Sequence, residues 1–253
     1  MNKDCILELE KLSVSYTPGN YALKEVSVSL KPGSVISVIG PTMAGKSTLL
    51  RSLNRLHEIY PGIKIEGKIL FKGEDIMNHP VIDVRRKIGM VFQSPNVFPN
   101  MNIYRNVLYG YKLNNISLSQ TENDRIVEET LREIALWDDV KDRLQSNPAI
   151  LSRGQQQQLC MARAIALQPE VLLLDNPTAQ LQSTYTNLIE DAIYRLKDKM
   201  TIIIVTQNLS QAARISDYTL FLEDGELIEW GDTSKLFWSP KDKRTEKFIT
   251  SPA

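Results

Sequence analysis

The run Gly40-Pro41-Thr42-Met43-Ala44-Gly45-Lys46-Ser47-Thr48 sets two glycines, a lysine and two hydroxyls in the order Gly-x4-Gly-Lys-Ser-Thr. That order suits phosphate chemistry. Glycines let backbone N–H groups turn inward around phosphate oxygens at the start of a helix. Lys46 would bring a point charge to the outer phosphates of a nucleoside triphosphate, and Ser47 a hydroxyl ligand for magnesium. The competing reading, an ordinary glycine-rich turn, needs a chance match, which average residue usage puts on the order of one per cent in a chain this long. Far downstream, Val171-Leu-Leu-Leu-Asp175 is an apolar run ending in a carboxylate, as when a buried strand delivers a second magnesium contact to such a site. Asn176 follows it, an amide that hydrogen-bonds but cannot take a proton from an attacking water.

These groups need a frame. Ile6–Tyr16, Tyr21–Leu30 and Ser34–Gly40 read as strands, the last two separated by the turn signature Lys31-Pro32-Gly33. After the glycine-rich loop, Ser47–Tyr60 carries apolar residues at helical spacing, and Lys64–Ile76 returns to strand alternation with glycine turns. From about Pro95 to Gln158 the strand patterns stop, and Asp124–Leu144 has apolar residues at three- and four-residue steps, so an inserted helical subdomain is expected. Val171–Asp175 and Thr201–Thr206 are short, continuous apolar runs, as expected of parallel strands buried on both faces, with the helical pattern of Asn187–Lys199 between them.

Composition sets outer bounds. The 253 residues are 42% hydrophobic and 24% charged, enough for one large domain or a domain with a subdomain. Thirty Lys plus Arg balance thirty Asp plus Glu, so no global field draws the chain to nucleic acid or anionic lipid. Cys5 and Cys160 are far apart and lack metal or redox spacing, which favours unpaired thiols in a reducing cytosol. No apolar run approaches the roughly 18 residues of a spanning helix, so a soluble chain is expected, with any membrane role passing through a partner.

Two further stretches resolve the class. Val91-Phe-Gln93-Ser-Pro-Asn-Val-Phe98 precedes the helical insertion, and Leu151-Ser152-Arg153-Gly154-Gln155-Gln-Gln-Gln158 closes it. The order of phosphate loop, glutamine loop, helical subdomain, signature and aspartate strand resembles an ABC-transporter nucleotide-binding subunit over the whole chain. Leu53–Phe71, Arg85–Pro99, Gln207–Phe237 and the tail Ser239–Thr250 are most similar to the ATP-binding subunits of bacterial phosphate importers. A small-molecule kinase also uses a phosphate loop but has no use for the signature.

The resemblance implies an α/β phosphate-loop NTPase of the ABC nucleotide-binding type, with an antiparallel β subdomain. It implies one domain over 1–253, with 1–94 and 159–253 as the nucleotide-binding core and 95–158 as the helical subdomain. It further implies a head-to-tail dimer, with a second copy or a different nucleotide-binding subunit, that sandwiches ATP and Mg2+. Two membrane permease subunits and an extracytoplasmic phosphate-binding protein would complete the transporter, leaving this chain cytoplasmic on the inner membrane face. Tyr16 would stack on adenine, although it equally suits a half-buried strand aromatic. Residues 40–48 would hold phosphates, Ser47, Gln93 and Asp175 would serve the metal, and Ser152, Gly154 and Gln155 would meet the partner's nucleotide.

Against that pattern, Asn176 stands where the family has a glutamate that activates water, and Gln207 where it has the switch histidine. The two histidines of the chain, His57 and His79, lie away from every motif and are expected at the surface. Gln182 replaces the aspartate of the loop after the magnesium strand, Arg153 and Gln158 replace a glycine and an arginine of the signature, and Met43 replaces a phosphate-loop glycine. Binding is therefore expected to survive and hydrolysis to be crippled, with Arg153 weakening closure of the sandwich. A catalytically disabled ATP-binding partner is the alternative role.

Overall fold

The computed structural model describes residues 5–250. It contains two compact units, one formed by the chain up to Arg85 and again from Thr201, the other by Arg86–Met200. In chain order the elements are β1 (Leu7–Thr17), β2 (Asn20–Leu30), β3 (Val35–Ile39), α1 (Lys46–Leu53), β4 (Lys64–Phe71), β5 (Glu74–Asp75), α2 (Val81–Lys87), β6 (Ile88–Val91) and α3 (Ile103–Leu113). There follow α4 (Gln120–Glu133), α5 (Trp137–Val140), α6 (Arg153–Ile165), β7 (Val171–Asp175), α7 (Ser183–Leu196) and β8 (Thr201–Val205). The chain continues through α8 (Leu209–Ile215), β9 (Tyr218–Glu223), β10 (Glu226–Asp232), α9 (Thr233–Trp238) and α10 (Lys243–Thr250).

In the first unit, β1 forms a hairpin with β2, from Leu7 opposite Leu30 to Thr17 opposite Asn20, and its other edge pairs antiparallel with β4. This antiparallel sheet shows one wetted face in the mixed burial of β1, β2 and β4. A second sheet runs β10-β9-β3-β8, in which β3 is parallel to both neighbours and β10 turns back antiparallel. Every residue of β3 and β8 is buried, which explains why their sequences are unbroken apolar runs apart from Ser37 and Thr201. Phe221 of β9 stacks on Phe248 of α10 at 5.0 Å, and both belong to the cluster around Ile39, Ala212 and Leu236.

The helical pattern of Ser47–Tyr60 is cut short. α1 ends at Leu53, Arg55 adopts φ 58°, and a single 3-10 turn covers Leu56–Ile59. Hydrogen bonds from distant residues explain the break. The Arg85 guanidinium donates to the carbonyls of Asn54 and Arg55 at 3.3 and 2.9 Å, supplying partners that a continuing helix would have supplied. Arg55 itself reaches the carbonyls of Ile76 and His79 at 3.1 and 2.6 Å. This turn also corrects the expectation for His57, whose side chain is buried in the structure at 3% exposure. His79 is at the surface as expected, 3.0 Å from Glu74.

The second unit joins a two-strand parallel ladder to helices. β6 pairs with β7 from Ile88 opposite Val171 to Val91 opposite Leu174. Among the described residues no strand lies between these two, and α3 to α6 fill the interval. α4 is launched by a capping box of Ser119 and Glu122. It ends where Ala135 takes φ 55°, with Leu136 N donating to Leu131 O at 2.8 Å and Ala135 N to Arg132 O at 3.0 Å, the Schellman arrangement. The buried Gln158 amide donates to the carbonyls of Ile134 and Ala135 at 2.7 and 3.3 Å, so it seals this helix end. Cys160 beside it is buried, as a core thiol should be, and both cysteines are free.

Candidate nucleotide site

In the first unit the parallel ladder gathers the candidates. Val38 faces Val205 across the ladder, so the loop after β3 and the turn after β8 emerge at the same carboxyl edge, where α/β sheets place ligands. Two glycines shape the loop: Gly40 has φ 148° and Gly45 φ 95°. A Cβ on Gly40 would sit 2.0 Å from the Leu222 carbonyl oxygen, and one on Gly45 2.2 Å from that of Ala22. No other residue fits at either point. Lys46 is 6% exposed and its ammonium donates to Gly40 O at 2.7 Å and Pro41 O at 2.5 Å, which folds the charge back into the loop. Ala44 is buried, Ser47 is half-buried, and Thr42 is exposed. Loop, ammonium and the N-terminus of α1 together form a concentrated positive potential that fits a polyphosphate.

Met43, at the loop tip, adopts φ 67° and is 94% exposed. Its left-handed backbone costs about 1 to 2 kcal/mol, and its side chain recovers little by packing. Tyr16, half-buried on β1, reaches Thr48 Oγ1 at 3.2 Å and meets Tyr60 edge-on at 5.9 Å. The ring therefore stands beside the start of α1. Gln207 lies exposed on the corner between β8 and α8. That corner is rigid: Thr206 Oγ1 donates to Gln211 Oε1 at 2.7 Å and accepts from Asn208 N at 3.1 Å, while Asn208 Oδ1 caps α8 through Gln211 N at 2.9 Å.

The second unit repeats the logic at the carboxyl ends of β6 and β7. Gln93 is exposed two residues past β6, and Asp175, buried at 4% exposure, ends β7. The two strands run in parallel register, so Gln93, Asp175 and Asn176 emerge at one edge of this unit. Asn176 takes φ 48°, opening a turn in which Ala179 N donates to its carbonyl at 3.1 Å. A carboxylate at a strand end is a hard oxygen donor of the kind that suits magnesium, which keeps most of its shell as water and phosphate.

The signature segment opens α6. Ser152 is its N-cap, with Oγ accepting from Gln155 N at 3.3 Å, and Gln155 Oε1 accepting from Ser152 N at 3.0 Å. Gln155 also reaches Asp139 at 2.9 Å. Gly154 is buried against Tyr185, since a Cβ there would come within 2.2 Å of the ring. The Arg153 guanidinium donates to Gln180 Oε1 at 3.2 Å. Gln180 and Tyr185 escape a reading of the sequence because neither belongs to a motif. Their relation to the signature arises only when the segment after β7 folds back on α6.

Comparison with known proteins gives the family. The sequence pattern described as ABC transporter matches residues 23–179. The chain belongs to the ABC transporter family. A protein of Rubrobacter xylanophilus named phosphate import ATP-binding protein PstB is 48% identical over 97% of this chain and 88% of its own length. PstB 1 of Vibrio cholerae is likewise 48% identical, over 96% of this chain and 89% of its own. Among solved ABC structures, the dimeric cassette MJ0796 in a post-hydrolysis state with ADP and Pi superimposes with TM-score 0.76 at 28% identity, covering 90% of this chain and 98% of its own. CbiO1 of Clostridium perfringens, part of the transporter complex cbiONQ, gives TM-score 0.80 at 27% identity over 98% of this chain and 96% of its own. The ABC fold inferred from the motifs, with its antiparallel sheet, parallel strands and helices, is thus the fold of this chain.

Proposed function

We propose that this chain is the ATP-binding subunit of a phosphate-import ABC transporter, binding Mg-ATP well and hydrolysing it slowly. The phosphate loop carries the nucleotide reading, because Gly40 and Gly45 are sterically obligatory there and the Lys46 ammonium is folded into the loop. The cargo reading comes from the PstB relatives, which align along nearly the whole chain. Residues 40–48 hold the phosphates and Tyr16 the adenine. Ser47, Asp175 and Gln93 are assigned to magnesium, which when bound neutralises phosphate charge. Ser152, Gly154 and Gln155 face the nucleotide of a second ABC subunit in a dimer. No helix among the described residues is long and apolar enough to cross a membrane. The likeness to the PstB relatives supports coupling to transport through permease subunits on the cytoplasmic side.

Asn176 and Gln207 occupy the positions that would activate and orient the attacking water. An amide at 176 can hold a water but cannot accept its proton, and the loss of a general base lowers rate by about 10² to 10⁴. The same observation supports a role as the non-hydrolysing partner in a mixed dimer with a competent subunit. Titration calorimetry with Mg-ATP tests the binding step on the unmodified chain and on Lys46→Ala. Saturable binding in the micromolar range, weakened at least tenfold by the substitution, is expected. Equal affinities, or no binding by the unmodified chain at millimolar nucleotide, would overturn the assignment.

A further inference from the structure

The signature segment of this chain is bonded to its own polypeptide at the residues that would meet a second subunit's nucleotide. Ser152 Oγ donates its proton to the Tyr185 hydroxyl at 2.9 Å while accepting from Gln155 N at 3.3 Å. The Tyr185 ring lies so close to Gly154 that a Cβ built there would meet Cγ, Cδ2 and Cδ1 at 2.2, 2.4 and 2.5 Å. Arg153, between them, is tied to Gln180 at 3.2 Å, and Gln180 is fixed at φ 61° in the turn that leads to α7. These contacts lie within one compact unit, between the start of α6 and residues 180–185.

Resting on the ABC reading above, we propose that Tyr185 is a positioning residue that latches the signature segment shut, so the ATP-bound dimer forms only at the cost of opening the latch. A serine hydroxyl has one proton to donate. While that proton serves Tyr185, it is not available to a phosphate oxygen. The ring face meanwhile occupies the space that glycine leaves open at 154. Opening requires Tyr185 to rotate away, exchanging an internal hydrogen bond and a packing contact for contacts with the incoming nucleotide. The phosphate loop of the same chain contains none of these groups, so nucleotide binding and dimer closure are separable.

The experiment compares the full chain with Tyr185→Phe and Tyr185→Ala by sedimentation in saturating Mg-ATP, alongside calorimetric titration at protein concentrations where each chain is monomeric. Removing the hydroxyl alone should raise the dimer association constant about 25-fold, because each of the two protomers opens one latch and loss of one ordinary hydrogen bond brings about five-fold. Tyr185→Ala should raise it further, with nucleotide affinity within about two-fold throughout. A merely structural role predicts no gain for Tyr185→Phe, which keeps the ring and the fold. Two results overturn the latch: an unmodified chain already dimeric in Mg-ATP, or variants that dimerise no better than it. Absence of nucleotide binding by the unmodified chain would instead overturn the ATP-binding reading itself, so the two failures are distinguishable.

Discussion

If hydrolysis is slow as proposed, Asn176→Glu should recover only a minor part of the rate, because of the backbone at that position. Asn176 sits at φ 48°, a left-handed conformation that asparagine tolerates through local hydrogen bonding but glutamate enters at about 1 kcal/mol more. The restored carboxylate therefore either strains the turn or is misplaced, and misplacement worth 1.4 kcal/mol already costs about tenfold in rate. Working enzymes turn over at about 10 s⁻¹ in the median. A general-base loss of about 10² to 10⁴ then places the unmodified chain near 10⁻¹ to 10⁻³ s⁻¹. Asn176→Glu alone should gain less than about tenfold. Gln207→His would be presented by a corner already fixed by Thr206, Asn208 and Gln211, so the imidazole enters without backbone rearrangement. Gln182, the N-cap of α7, makes no side-chain capping bond, and Gln182→Asp should supply one at about 1 kcal/mol, offsetting the strain at 176. The triple variant should thus match the unmodified chain in thermal stability and exceed the product of the single-variant rate gains, because these residues act as a unit. Phosphate release under saturating Mg-ATP, corrected with Lys46→Ala, is the assay. A rate of about 1 s⁻¹ or faster from the unmodified chain, or a hundredfold gain from Asn176→Glu alone, would refute the reasoning.

Two other outcomes are expected from local geometry. Burial of His57 holds its pKa below the ordinary value of 6.5, so the unfolded chain binds that proton more readily. Its stability contribution is complete above pH 6.5 and is lost as pH falls toward the folded-state pKa; denaturant midpoints should drop between pH 7.5 and 5.5, and His57→Leu should flatten that slope. Met43→Gly removes a left-handed methionine at φ 67° while loosening the unfolded chain, for a net gain of about 0.5 kcal/mol that chemical denaturation can read. A loss of stability would show that the exposed methionine side chain packs more than its accessibility indicates.

Much of this protein was written locally. The phosphate loop, the strand ending in Asp175 and the signature each combine a residue order with the element that must carry it, and the structure provides those elements at Val35–Ile39, Lys46–Leu53, Val171–Asp175 and Arg153–Ile165. Apolar runs become fully buried parallel strands because both of their faces are covered. Capping boxes at Ser119 and Ser152 are short-range patterns as well. Tertiary structure decided the rest. The helical spacing of Ser47–Tyr60 yielded to Arg85, whose guanidinium is 30 residues from Arg55 in sequence and satisfies its carbonyl instead. The same turn buried His57, which no nearby residue pattern foretold. Gln158, legible only as a missing arginine, proved to seal the end of α4 across 24 residues. Tyr185 carries no motif at all, and its hold on Ser152 spans 33 residues. Periodicity and capping act within a few residues of one another and so survive in a sequence read alone. A hydrogen bond between distant segments depends on how the whole chain closes, and only the folded chain determines which groups it leaves facing each other.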